Sequence, residues 1–385
     1  VQEKLFKKLK WARTVILAFG QSNMAGNIVD LSGINSIYHS FDSQTKIWDP
    51  FANTNAGAWV TLDPSVYNNT TRYGLNEANP PGFARGSALL ERPKACPILI
   101  FAKNYEKLHK QNSAIKSDIY FIKNASDGSF MFSGYGLPGD PIDPENFVYN
   151  INRGELSAGS WGVFPDEPQY GEIPFSELSG YNMYPTLRHD LSAATRQIPK
   201  PFEVKAVLCI QGESDSLASK TFPTSSTIVL NNFPTAGETF YYSGLAGVES
   251  RNWAGSFTKL YGRITDDIRL FTSSTEDPVW ILGRPQIEAP DYGDPGYDPV
   301  FTTRTREFSF HYTEGVRNQV EQVASSIGNV FFVNNDGLTF IGEEHDQDIN
   351  GENGLPYTGI HFDGKGLEKV GLNLFNKFKE VKGFD

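Results

Sequence analysis

The feature that most constrains the fold is the run Val15-Ile16-Leu17-Ala18-Phe19, which stops abruptly at Gly20-Gln21-Ser22-Asn23-Met24-Ala25-Gly26. A short, uninterrupted apolar run bounded by turn-forming residues is the pattern of a parallel strand buried on both faces. In open α/β sheets the ligand crevice lies just beyond the carboxyl ends of such strands. The pattern therefore delivers Ser22 to a crevice. Gly20 permits a tight turn there, and a helix starting after Ser22 aims free backbone N–H groups at a developing oxyanion. Taken alone, the same serine reads more often as a helix cap.

Two further segments change that balance. Val204-Lys205-Ala206-Val207-Leu208-Cys209-Ile210 is a second strand-like run and ends in Gln211-Gly212-Glu213-Ser214-Asp215. Near the end of the chain, Gly359-Ile360-His361-Phe362-Asp363-Gly364-Lys365-Gly366 precedes a helical pattern of Leu367, Val370, Leu372, Leu374, Phe375 and Phe378. A serine after one strand, a polar cluster after another and a histidine before the last helix can meet at one edge of a sheet. A serine hydroxyl is a poor nucleophile until a neighbouring imidazole takes its proton, so this set of residue types suits acyl transfer. Met24 stands where the second glycine of a Gly-x-Ser-x-Gly elbow would be, which sets the serine apart from that motif.

Strand-like and helix-like segments alternate, which predicts a parallel sheet. Strands are expected near 14–19, 118–123, 203–210, 278–283 and 329–333, and amphipathic helices over 98–110, 184–197, 253–271, 313–326 and 364–380. Because Ser22 and His361 must meet, one domain is expected to close around all 385 residues. Residues 1–12 form a basic lead-in, and the stretches 66–95, 129–182, 216–250 and 286–306 are insertions too long for ordinary connections.

On the GQSNM-type serine block, the QGES-type middle block and the C-terminal histidine block, the chain resembles the SGNH hydrolases, and among them the sialate O-acetylesterase-like carbohydrate esterases. Lys46-Ile47-Trp48-Asp49-Pro50-Phe51, Trp59-Val60-Thr61-Leu62-Asp63-Pro64 and Asp118-Ile119-Tyr120-Phe121-Ile122-Lys123 also lie where the family carries similar segments. The resemblance implies a flavodoxin-like three-layer α/β/α fold with a parallel central sheet and long loop insertions. It implies removal of acetyl groups from a sugar such as sialic acid, xylan or a surface polysaccharide, with no metal or organic cofactor. Ser22 matches the family's nucleophile and His361 its general base. Many relatives carry an aspartate three residues before the histidine; here that position is Thr358, so Glu213 is the leading third member of the triad. Asp215, Asp348 and Asp363 are the alternatives, as is a dyad oriented by a backbone carbonyl. The oxyanion donors implied are the Ser22 N–H, the Gln211 side-chain amide and the Cys96 backbone N–H. Cys96 reads equally as a buried small apolar residue.

Gln21 and Asn23, flanking the nucleophile, join Trp161, Tyr170 and Arg284 as candidates for holding substrate. Phe130, Phe132, Tyr135, Tyr149, Trp161, Phe164, Tyr170, Tyr181 and Tyr184 supply aromatic faces suited to sugar rings, although any one of them reads more often as core. Arg284 matches carboxylate geometry bidentately, and a loop-bracing salt bridge is its commoner role. The rival function is a carbohydrate-binding or adhesion module without turnover. A viral tail or spike component, with a chain starting at Val1 and large aromatic insertions, is compatible with both readings. A general short-acyl esterase is the third.

A formal charge of −11 disfavours nucleic acid and anionic membrane as partners. No apolar run has the length of a membrane span, and nothing resembles an intact signal peptide. An extracellular, periplasmic or virion-associated setting is expected. Cys96 and Cys209 are the only cysteines, so no disulfide framework is implied. The six histidines, His39, His109, His189, His311, His345 and His361, are scattered without metal-ligand spacing. Asp346, Asp348 and Asn350 share part of a calcium-loop spacing but lack its terminal glutamate, so no calcium is expected. The oligomeric state is not legible in the sequence.

Overall fold

The computed structural model describes residues 13–26, 29–50, 57–64, 95–112, 118–125, 131, 161, 183–213, 218–219, 253–272, 274, 276–286, 308–309, 313–339 and 361–384. In it the apolar run around Val15 is strand β1 (Arg13–Gly20), buried at every position after the first. The other strands are β2 (Thr45–Asp49), β3 (Ala58–Thr61), β4 (Ile119–Ala125), β5 (Phe202–Ile210), β6 (Ala218–Ser219), β7 (Val279–Gly283), β8 (Phe308–Ser309) and β9 (Val330–Val333). Seven of them form one sheet in the order β3-β2-β4-β1-β5-β7-β9, while β6 and β8 make a separate antiparallel pair. Every pairing in the large sheet is parallel except β2 with β3, a hairpin at its edge.

Setting aside the edge hairpin, whose β2 also pairs parallel with β4, the strands β4-β1-β5-β7-β9 stand in the spatial order second, first, third, fourth, fifth. That is the order of a doubly wound flavodoxin-type sheet, in which the chain changes direction across the sheet between the first and third strands. Here that switch point lies between β1 and β5. The crevice at such a point opens beyond the carboxyl ends of the two strands, where Ser22 and Gln211–Glu213 follow.

The helices are α1 (Ser22–Ala25), α2 (Pro97–Asn112), α3 (Met183–Arg196), α4 (Trp253–Thr272), α5 (Thr313–Ser326) and α6 (Gly364–Lys382). Alternate residues of the buried strands point to opposite faces. On one face Ile16, Ala18, Phe121, Leu208 and Ile281 pack with Leu99 and Phe101 of α2 and with Leu367, Leu374 and Phe378 of α6. On the other, Leu17, Phe19, Ile122, Val207 and Trp280 pack with Leu187 of α3, Leu260 of α4 and Val320 of α5. Each of the larger side chains among them contributes about 1.5–3 kcal/mol on burial, so both helical layers are held by the sheet. The Asp363 side chain caps α6 by accepting from Gly366 N at 2.7 Å.

All five expected strands and all five expected helices are present, with ends within about two residues of the expected ones. The hairpin β2–β3 and the pair β6–β8 were not expected as strands. Of the lead-in and the insertions, Ala95, Met131, Trp161, Ala218, Ser219 and Gln286 are described, and the rest lie outside the described residues. Among the described residues no helix is long and apolar enough to cross a membrane.

Candidate active site

The site begins with a glycine. Gly20, the last residue of β1, has φ +149°, and a Cβ there would lie 2.0 Å from the Ile210 carbonyl oxygen. Only glycine lets β1 and β5 run this close at the switch point. Gln21 N then donates to Ile210 O at 3.1 Å, fastening the start of the Ser22 turn to the end of β5.

The turn itself, α1, is four residues long, far too short to persist alone. Its surroundings hold it. Gln21 O accepts from Met24 N at 2.9 Å and Ala25 N at 2.7 Å, and Gly26, in the left-handed region at φ 73°, closes the turn with its N–H on Ser22 O. This ladder starts at Met24 and does not use the Ser22 N–H, which sits at the turn's amino end. At the carboxyl end, Lys123 Nζ from β4 donates to Ala25 O at 2.6 Å. Burial pushes the Lys123 pKa down, opposed by the Cys96 thiol beside it. Cys96 also packs against Gly26, so closely that a Cβ on Gly26 would lie 2.3 Å from the Cys96 Cβ. Cys96 is thus a buried free thiol at the opposite end of the turn from Ser22.

Asn23 joins the three segments. Its Nδ2 donates to Glu213 Oε1 at 2.7 Å, and its Oδ1 accepts from Phe362 N at 3.1 Å, both within the interior. The residue after Ser22 therefore ties the middle block to the residue after His361. Ser22, Gln211, Glu213 and His361 are all buried, at 3, 1, 1 and 8% exposure. A serine, an imidazole and a carboxylate gathered at one switch point have the components of nucleophilic acyl transfer.

The other candidate residues divide. Gln21 is buried and its backbone serves the turn. Asn23, expected to meet substrate, instead braces Glu213 and Phe362. Asp363, an alternative triad acid, is committed elsewhere, because its Oδ1 accepts from Gly366 N and from Thr339 Oγ1 at 2.6 Å. Arg284 has the loop-bracing role rather than that of a sugar-carboxylate ligand: its guanidinium lies 3.1 Å from Glu321 and 3.5 Å from Asp336. Trp161 is fully buried with its ring 4.7 Å from that of Phe19. Tyr184 is likewise buried and donates to Asp267 at 2.7 Å, so these two are core residues rather than a rim. Tyr170, Asp215, Asp348, Thr358 and the remaining expected rim residues lie outside the described residues. Among the described residues, no group of three His, Cys, Asp or Glu side chains is placed to hold a metal ion.

Two buried polar residues near the carboxyl end of β4, Lys123 at the Ser22 turn and Asn124 beside it in sequence, were not singled out from the sequence as functional. The signal was present: both interrupt an apolar strand at its carboxyl end, where the crevice of an α/β sheet lies.

No protein-family model matches this chain, and no curated protein matches it in sequence. Among solved structures, that of NanS aligns at 14% identity and a TM-score of 0.52, over 96% of this chain and 98% of its own. A protein from Arabidopsis thaliana aligns at 13% identity and a TM-score of 0.45, over 96% and 98%. A carbohydrate acetylesterase from Xanthomonas citri aligns at 14% identity and a TM-score of 0.42, over 96% of this chain and 57% of its own. The likeness to NanS is one of fold.

Proposed function

We propose that this protein is a serine esterase that removes O-acetyl groups from a carbohydrate, an SGNH hydrolase of the sialate O-acetylesterase-like type. The observation that carries this reading is the double tie of Asn23, which draws the residues flanking Ser22 and His361 to Glu213 although they are far apart in the chain. In the proposed reaction His361 takes the proton from Ser22 Oγ as the oxygen attacks the acetyl carbonyl. Glu213, locked by Asn23, orients the imidazole and stabilises its charged form. The tetrahedral oxyanion is held by the Ser22 N–H, which the turn's ladder leaves unused, and by the Gln211 side-chain amide. Cys96, at the far end of the turn, has no part in it. His361 then passes its proton to the departing sugar oxygen, and water hydrolyses the acetyl-enzyme by the same steps in reverse.

The test is acetate release from O-acetylated sialic acids, acetylated xylan and acetylated bacterial polysaccharides, with p-nitrophenyl acetate as a small ester, comparing the native protein with Ser22→Ala. Release on at least one glycan that is lost at least about 1000-fold in the variant supports the reading. No release from any of these esters by the native protein overturns it.

A further inference from the structure

One polar side chain at the carboxyl edge of the sheet has no part in the proposed chemistry. Asn124, next to last in β4, is 0% exposed, and neither its Oδ1 nor its Nδ2 has a hydrogen-bond partner among the described residues. A buried amide with both its donor and its acceptor unmet is costly, and native folds rarely keep one without a use. At the opposite end of the sheet buried polar groups are paired: Tyr105 OH donates to Thr14 Oγ1 at 3.0 Å, and Thr45 Oγ1 donates to Glu106 at 2.8 Å. The unmet amide lies at the crevice end.

Its position is set by register. Asn124 pairs with Phe19 of β1, so the two side chains share a face one strand spacing apart, about 4.8 Å, with Phe19 three residues before Ser22. The Phe19 ring lies 4.7 Å from Trp161 and 6.0 Å from Trp280. These rings are fully buried core and offer the amide neither a donor nor an acceptor, so whatever meets it must come from the crevice end of the sheet. Asn124 is as covered as Ser22, whose exposure is only 3%, and an ester must reach Ser22 from this same end of the sheet.

We propose that Asn124 contacts the substrate and holds the sugar that leaves, through two neighbouring hydroxyls. One hydroxyl donates to Oδ1 and the other accepts from Nδ2, which meets both unmet groups with the pairing that a vicinal diol offers. The acetyl group itself offers no donor, so the contact belongs to the sugar. This rests on the esterase reading.

The test compares the native protein with Asn124→Leu, which matches the aromatic surroundings in polarity, and Asn124→Asp, which keeps shape and acceptor if the leucine variant fails to fold. Two esters are used: p-nitrophenyl acetate, which has no hydroxyls, and a mono-O-acetylated methyl glycoside with free hydroxyls beside the ester. We expect kcat/KM on the glycoside ester to fall about 10- to 100-fold, mainly through KM, with p-nitrophenyl acetate held within about twofold. Equal losses on both esters, or none on either, overturn the contact. If the native protein hydrolyses neither ester, the glycan panel above decides the esterase reading by itself, and titration with the unacetylated methyl glycoside decides the contact. Binding to the native protein that the variant loses keeps it; equal binding, or none to the native protein, overturns it.

Discussion

Asn23→Ala removes both ties of the site at once, and its cost follows from the two bonds. A hydrogen bond to a carboxylate contributes about 1.5–3 kcal/mol, and a buried N–H left without its acceptor, as Phe362 N would be, costs about 1–3 kcal/mol. We therefore expect Asn23→Ala to lower unfolding stability by about 3–5 kcal/mol in urea titration. Activity on p-nitrophenyl acetate should fall at least about 100-fold, because Glu213 and His361 lose their common anchor and small misplacements of reacting groups are expensive. The direct measure is a double-mutant cycle with Glu213→Gln, where a coupling of at least about 1.5 kcal/mol is expected for groups in contact. Additivity within about 0.5 kcal/mol would refute the bridge. Asn23→Asp sharpens the test. It preserves shape and the acceptor for Phe362 N but sets a carboxylate oxygen against Glu213 Oε1 where the amide now sits at 2.7 Å. Two carboxylates that close cannot both ionise, so one keeps its proton with a folded pKa above its unfolded value. Its stability is then nearest native at low pH and is lost as pH rises through that raised pKa. A variant whose loss is the same at all pH values contradicts the geometry.

Two further outcomes follow from the fold. Gly20→Ala brings a methyl against the Ile210 carbonyl, a backbone atom that no side-chain movement can clear, so a loss of at least about 3 kcal/mol or of soluble protein is expected; a native urea midpoint would show that β1 and β5 can separate here. His109 has its pKa pushed below 6.5 by burial and by the Lys205 charge. A depressed pKa means that its contribution is intact above the unfolded value and is lost as pH falls through the folded one. Melting temperatures from about pH 7.5 down to 5 should therefore decline less steeply in His109→Gln, and parallel profiles would assign the acid sensitivity to other groups.

The central layers were legible because their physics is local. β1, β5 and β7 are buried along nearly all their length and so read as continuous apolar runs, and α6 repeats Leu367, Val370, Leu374 and Phe378 at helical spacing. The hairpin β2–β3 was not, because all four residues of β3 are half-buried and Lys46 interrupts β2, which leaves no periodicity to follow. Side-chain roles were harder still. Asn23 acts on residues 190 and 339 positions away, and no local pattern marks that. Arg284 and Asp363 had plausible chemistry in the sequence, but Glu321, Asp336 and Thr339 engage them first. Lys123 and Asn124 were readable in principle, since a fully apolar strand has no reason of its own to end in two buried polar residues.

The same contacts that place Ser22 also join the sheet. Gly20, Gln21 and Asn23 close the switch point, and Lys123 holds the far end of a turn that has no stability by itself. Substitutions at these positions should lower activity and stability together, because one interaction serves both. Ser22 differs in kind. In the proposed esterase its hydroxyl serves chemistry rather than cohesion, so Ser22→Ala should erase turnover while leaving the urea midpoint native or slightly raised. A serine whose loss unfolded the protein as Asn23→Ala does would be a structural residue, and the crevice would need another nucleophile.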